Sequence, residues 1–338
     1  DCLEPRLLLT FTTMIDNGPS ANRVDIVFVG DGYTIDDIST SYVADINSML
    51  DHMFASGEDP FPRYSKFFNT HRVDVISAQS GADVPPEGIF RDTALDASYY
   101  FDGTTERLLH INETKANEIV STEMATAGFT PEMRLATIND SRYGGAGGQW
   151  ASFAGKNSSA PEIALHELGH SFSGLADEYG GDTTPYTGGE PSAVNVTTDP
   201  SGTKWAQWLG YDQPGIGIIA AYEGGNYSDF GVYRPSLDSK MRSLERPFDA
   251  ISREQLILDI YTYVDPLDVW RDNSTSVSGP LSVQVVDPQV ISVDWYVDGN
   301  LVVQSAGETF DPENYGFTSG THTVTAKAID RTDWVRIN

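Results

Sequence analysis

Between residues 162 and 179 the chain reads Glu-Ile-Ala-Leu-His-Glu-Leu-Gly-His-Ser-Phe-Ser-Gly-Leu-Ala-Asp-Glu-Tyr. Pro161 suits a first helical turn, Glu162 suits the positive end of the helix dipole and Gly174 offers a stop, so the segment predicts one helix. On that helix His166 and His170 lie one turn apart on one face, where both imidazoles can reach a single zinc ion. Glu167, beside the first of them, can then reach a metal-bound water and take its proton. Leu165, Leu168 and Phe172 crowd the pair, which makes the helix a buried one, and buried imidazoles need partners. The plainer alternatives are a satisfied pair of core histidines and a surface carboxylate at Glu167.

A zinc site on two histidines needs a further protein ligand and one position left for water. Leu175-Ala176-Asp177-Glu178-Tyr179 is the nearest supply, and Asp177 is favoured over Glu178. The metzincin pattern places a glycine three residues after the second histidine and the third ligand six after it. Here Gly174 and Asp177 come one residue later, so a turn one residue longer has to return Asp177 to the ion. Asp177, Glu178 and Asp182 offer a second possibility, a calcium site, since calcium is a hard ion that takes carboxylates from loops.

With 21 Lys plus Arg against 49 Asp plus Glu, the formal charge of −28 argues against nucleic acid as a partner, because phosphates would be repelled. No run approaches the ~18 apolar residues of a membrane span. Cys2 is the only cysteine, which excludes an intramolecular disulfide and a cysteine zinc site. With no apolar leader, the chain reads as already processed or truncated. The Asn-x-Ser/Thr triplets at Asn112, Asn139, Asn157, Asn195, Asn226 and Asn273 are short patterns that a Ser/Thr-rich chain carries by accident.

Residues 1–20 read as an N-terminal arm. Val24–Val29 is a near-continuous apolar run closed by Gly30-Asp31-Gly32, a buried strand and turn. A helix at 36–54, a strand at 72–77, a helix at 105–127 and a strand at 133–138 follow, an alternation that predicts an α/β layer. The glycine-rich stretch 143–153 reads either as a flexible loop or as an edge strand against which a peptide backbone can pair. Residues 180–240 read as loops and short elements around a cleft, 252–263 as a closing helix and 266–278 as a linker. Beyond it Val293, Trp295 and Val297 alternate with polar residues and Asp298-Gly299-Asn300 marks a tight turn, so 279–338 predicts a small immunoglobulin-like β-sandwich without a catalytic set.

Val27-Phe28-Val29-Gly30-Asp31-Gly32-Tyr33, the His166–Tyr179 block, and Tyr233-Arg234-Pro235-Ser236 through Lys240-Met241-Arg242 to Pro247-Phe248 occur in that order. Over residues 20–263 the chain thereby resembles the IgA-peptidase family of bacterial zinc endopeptidases, related to metzincins. The resemblance implies an α/β zincin (metzincin-like) catalytic domain at 21–265, with Met241 as a hydrophobic base beneath the zinc histidines and Ser252-Arg253-Glu254 opening the next helix. It does not imply that IgA is the substrate.

The combined expectation is a secreted or periplasmic bacterial zinc metalloendopeptidase, monomeric and acting on protein or peptide substrates. Its ligands are His166, His170 and Asp177, and Glu167 is the general base. Tyr179, Tyr227, Tyr233 and Arg242 are the candidates for stabilising an oxyanion. The rival reading is a catalytically silent, adhesin-like binding protein on the same fold; an intact Glu167 speaks against it.

Overall fold

The computed structural model describes residues 10–125, 127–271 and 273–337. Cys2 and the first nine residues of the expected arm lie outside them.

The apolar run at Val24 becomes β2 (Val24–Asp31), buried along its whole length because both faces of the sheet are covered. Val24, Ile26 and Phe28 face one core and Val27 and Val29 the other, as the two-residue period of a strand requires. Around β2 lie β1 (Thr10–Ile15), β3 (Phe68–Asp74), β4 (Met133–Ile138), β5 (Gly145–Ala146) and β6 (Ala151–Ala154), in the order β1-β3-β2-β4-β6-β5. The four inner strands run parallel and both edge strands antiparallel. From Thr10 onward, then, the expected arm is an edge strand: Thr10–Thr13 pair with His71–Asp74.

Four helices cover the sheet: α1 (Ser41–Met53), α2 (Glu113–Met124), α3 (Ala160–Ser173) and α4 (Ala250–Tyr263). In α1, Tyr42, Ile46, Met49, Leu50 and Met53 form one apolar stripe that packs with α3 and α4 against one face, while Ala116, Val120 and Met124 of α2 join the core on the other. Helix α2 starts eight residues later than its apolar spacing suggests. Asn112 caps it by accepting from the Lys115 amide, and the preceding segment is tied down as extended chain, with Ser98 and His110 exchanging backbone hydrogen bonds. Helix α4 starts at Ala250, because the Asp249 carboxylate accepts from the amides of Ile251 and Ser252.

The C-terminal part is β-rich. Ile291–Val297 lies between Asn300–Ala306 and Val324–Asp330 in an antiparallel sheet, and Leu281–Ser282 pairs with Thr309–Phe310. The expected turn is present: Asp298 (φ 51°) and Gly299 (φ 79°) are both left-handed, as a two-residue hairpin of this hand needs. Trp295 stacks on Phe310 at 5.2 Å between ring centres. The expected linker at 266–278 is partly strand, since Leu267–Val269 pairs with Gln284–Val285. Arg23 clasps Asp268 through two hydrogen bonds of 2.7 Å.

This C-terminal region is no tethered bead. Val283, Val285, Val290, Val293 and Trp295 belong to the same buried cluster as Ile26, Phe61 and Ile257. Asp330 receives hydrogen bonds from Arg63 (2.8 Å), Tyr64 (2.5 Å) and Tyr261 (2.9 Å), and the Arg253 guanidinium lies 4.5 Å above the Trp334 ring. A chain ending at Pro266 should therefore melt at least about 10 °C below the full chain by calorimetry, as loss of several kcal/mol of shared core requires. An unchanged melting temperature would show the two parts to be independent.

Candidate metal centre

Helix α3 carries Pro161 in its first turn and ends at Gly174, whose φ of 60° is left-handed. There the amides of Gly174 and Leu175 close back onto the carbonyls of His170 and Gly169. The reversal brings the Leu175 carbonyl to Nδ1 of His170 (2.6 Å) and returns Asp177 over the helix it has just left. This is the longer turn that the displaced glycine calls for. Asn195 fixes it, donating to the Ala176 carbonyl (2.8 Å) and accepting from the Ala176 amide (2.9 Å). Its side chain also donates to Glu178. The sequence presented Asn195 only as an accidental Asn-x-Thr triplet, and its complete burial removes it from reach of modification in the folded chain.

His166 and His170 stand edge to face, with their Nε2 atoms 3.1 Å apart, and Asp177 Oδ1 lies 3.1 Å from the first and 3.3 Å from the second. Each Nδ1 donates to a backbone carbonyl, that of Lys240 for His166 (2.9 Å) and that of Leu175 for His170. Such hydrogen bonds leave the Nε2 lone pairs pointing inward. Two imidazole lone pairs and a carboxylate oxygen thus converge on one point, and Asp177 Oδ1 has no hydrogen-bond donor among the described residues. Ligand atoms about 2.0–2.1 Å from a tetrahedral ion lie about 3.3 Å from each other, so this donor set and spacing fit zinc. Burial pushes the Asp177 carboxyl up, but the two imidazoles outweigh it and hold the group far below the ordinary carboxylate range. Its Oδ2 accepts from the Tyr227 hydroxyl.

The neighbouring carboxylates do not converge here. Glu178 turns into the core, where it accepts from Asn195 (3.0 Å) and Ser239 (2.7 Å), and Asp182 accepts from the Thr184 amide at the surface. The calcium arrangement of Asp177, Glu178 and Asp182 is therefore not assembled. The remaining triad of metal-binding residue types, His52, Glu58 and Glu162, is filled by the Lys240 ammonium, 2.6 Å from Glu162 and 2.9 Å from Glu58.

Glu167 is 7% exposed, which removes the surface-carboxylate reading, and its side chain makes no hydrogen bond or ion pair among the described residues. Burial pushes its carboxyl up in pKa, against the pull of His166 and His170. Met241 is fully buried beneath the helix; a Cβ on Gly169, between the two histidines, would sit 2.7 Å from its sulfur. Of the four oxyanion candidates, Tyr227 touches Asp177 and Tyr179 accepts from Arg107 (3.1 Å). Tyr233 has its backbone paired with Thr197, and Arg242 reaches Asp238 at 3.7 Å.

The glycine-rich stretch is strand in part. β5 pairs with β6 on one side, and at Gly145 its other side is taken by Arg107 and Leu108. Gly147, just beyond, lies against the centre: a Cβ there would meet His170 Cβ at 2.9 Å and a Glu167 carboxylate oxygen at 3.1 Å. Gly147→Ala is expected to fold and bind metal while peptide hydrolysis falls about tenfold or more, because shifts of an ångström at a reacting group cost up to ~100-fold. Initial rates on a fluorogenic peptide measure this, and wild-type rates would remove Gly147 from the cleft.

Among the described residues no helix is long and apolar enough to cross a membrane. No curated protein matches the chain. The model of one family, described as IgA Peptidase M64, matches residues 12–216, a span that runs from the edge strand β1 past His166, Glu167, His170 and Asp177. On a match covering more than half its length, the chain belongs to the IgA Peptidase M64 family and is a peptidase.

Proposed function

We propose that the chain is a zinc-dependent endopeptidase in which His166, His170 and Asp177 hold the ion and Glu167 is the general base. The observation that carries this reading is the convergence of His166, His170 and Asp177 donor atoms on one point, with the Glu167 side chain beside them on the same helix. A core histidine pair would not aim two lone pairs at one carboxylate, and a silent binding protein could have lost Glu167 at no structural cost.

Zinc bound there supplies Lewis acidity, polarising the scissile carbonyl and making a water acidic enough to ionise near pH 7. The protein does the rest. Glu167 accepts the proton of the attacking water and returns it to the departing amine nitrogen, so its carboxylate ends as it began. The carbonyls of Lys240 and Leu175 fix the two imidazoles, and Tyr227 orients Asp177. Gly147, with no side chain beside His170 and Glu167, leaves room for an extended peptide backbone to approach the centre.

The architecture is read in the same terms. The mixed sheet, with α3 on one face and Met241 beneath it, is metzincin-like, and the C-terminal β-rich region is an immunoglobulin-like sandwich that serves positioning or attachment. A secreted or periplasmic place of action and a monomeric state belong to the proposal; fractionation of producing cells and sedimentation test them. The central test is a mixed peptide library digested by purified protein. Internal cleavage, abolished by a chelator and restored by zinc, is expected. Zinc-loaded protein that cleaves nothing in the library would overturn the reading.

A further inference from the structure

Lys240 is wholly buried, yet it is the residue whose carbonyl seats the first histidine. Its side chain turns the opposite way, with Nζ 2.6 Å from Glu162 and 2.9 Å from Glu58. Glu162 stands on α3 four residues before His166, so its side chain lies one turn away on the same helix face. One residue of the 239–248 loop thus touches one helix at two levels, ammonium on Glu162 and carbonyl on His166.

Glu162 is used to the full in this contact. Its Oε2 also accepts from the Glu245 amide (2.8 Å), and its Oε1 meets His52 Nε2 from α1 at 2.7 Å. The same stretch of loop reaches the other side of the centre, where the Glu178 amide donates to the Met241 carbonyl (2.8 Å) and Ser239 donates to the Glu178 carboxylate. A buried charge pair costs desolvation and is weak evidence for stability, but it fixes register. Here the register fixed is that of a carbonyl against a metal-binding imidazole.

We infer that Lys240 is a positioning residue whose ion pair with Glu162 locks the loop onto α3 and so sets the orientation and Nδ1–H tautomer of His166. The inference rests on His166 being a metal ligand. Outer partners of ligating histidines typically contribute about 10–100-fold to metal affinity.

Two variants separate positioning from simple stabilisation. Glu162→Gln and Glu58→Gln each remove one carboxylate and each leave Lys240 the other, so neither strands a buried charge. Because Glu162 also holds the Glu245 amide and His52, a merely structural role would lower the melting temperature more in Glu162→Gln but leave the zinc affinity of the folded protein unchanged in both variants. As parts of a positioning device they differ, because only Glu162 shares a helix with His166. Zinc affinity, measured by competition with a chromogenic chelator, should fall at least about tenfold in Glu162→Gln and less than about threefold in Glu58→Gln. The visible spectrum of the cobalt-loaded protein, which reports ligand geometry, should change in the first and persist in the second. Equal affinities and unchanged cobalt spectra in both variants would overturn the inference, as would equal losses. If Glu162→Gln does not fold, Lys240→Met combined with Glu58→Gln and Glu162→Gln removes all three charges together. That protein should show the same tenfold loss, and wild-type affinity in it would be equally fatal. Wild-type protein that binds neither zinc nor cobalt would instead sink the proposed metal site, a separate failure.

Discussion

Glu167→Gln is expected to lower the rate of peptide hydrolysis by about 10²–10⁴-fold, with zinc content and melting temperature preserved. Glutamine keeps the size and shape of a side chain that makes no hydrogen bond or ion pair among the described residues, so the substitution breaks nothing in the fold. What it removes is the single proton acceptor beside the three donor atoms. The loss should lie in kcat more than in KM, because the proton moves only on the way to the transition state. Stopped assays on a fluorogenic peptide, with metal analysis of the same preparation, give both quantities. Activity within about threefold of wild type, with contaminating protease excluded, would contradict the base assignment.

Asp177→Ala should weaken zinc binding by more than the ~10–100-fold that outer-shell partners cost, since it takes away a donor atom itself. Two imidazoles remain, and the Tyr227 hydroxyl loses its acceptor. Glu178→Ala, one residue on, predicts a different lesion. Glu178 is fully buried, burial first and the neighbouring Asp249 second push its carboxyl up in pKa, and it accepts from Asn195 and Ser239 beside the N-cap of α4. Losing those bonds should cost about 1–3 kcal/mol of stability, with zinc affinity of the folded protein largely retained. Equilibrium dialysis and urea unfolding on both variants distinguish the two effects. Zinc retained in Asp177→Ala and lost in Glu178→Ala would move the ligand by one residue.

The helix that carries His166, Glu167 and His170 was legible because its apolar spacing, early proline and terminal glycine agree with one another, and β2 because both faces of its apolar run are buried. Boundaries fared worse where a side chain, not periodicity, decides them. Asn112 and Asp249 move the starts of α2 and α4, and apolar spacing carries no trace of a cap. Residues 10–15 read as an arm because an edge strand needs only one covered face, so its pattern is faint. Asn195 and Lys240 stayed invisible as site residues for another reason. Each acts through contacts with residues distant in sequence, and Lys240 acts through its backbone carbonyl, which every residue has.

The bond between the Lys240 carbonyl and His166 spans 74 residues of chain. At a synthesis rate of about 5–20 residues per second, the helix with its two histidines emerges about 4–15 s before the carbonyl that seats the first of them. During that interval the nascent chain carries the hydrolytic signature but not the means to hold it in order. The order of residues along the chain thus makes the seating of His166 a late event of synthesis, one that waits for the 239–248 loop.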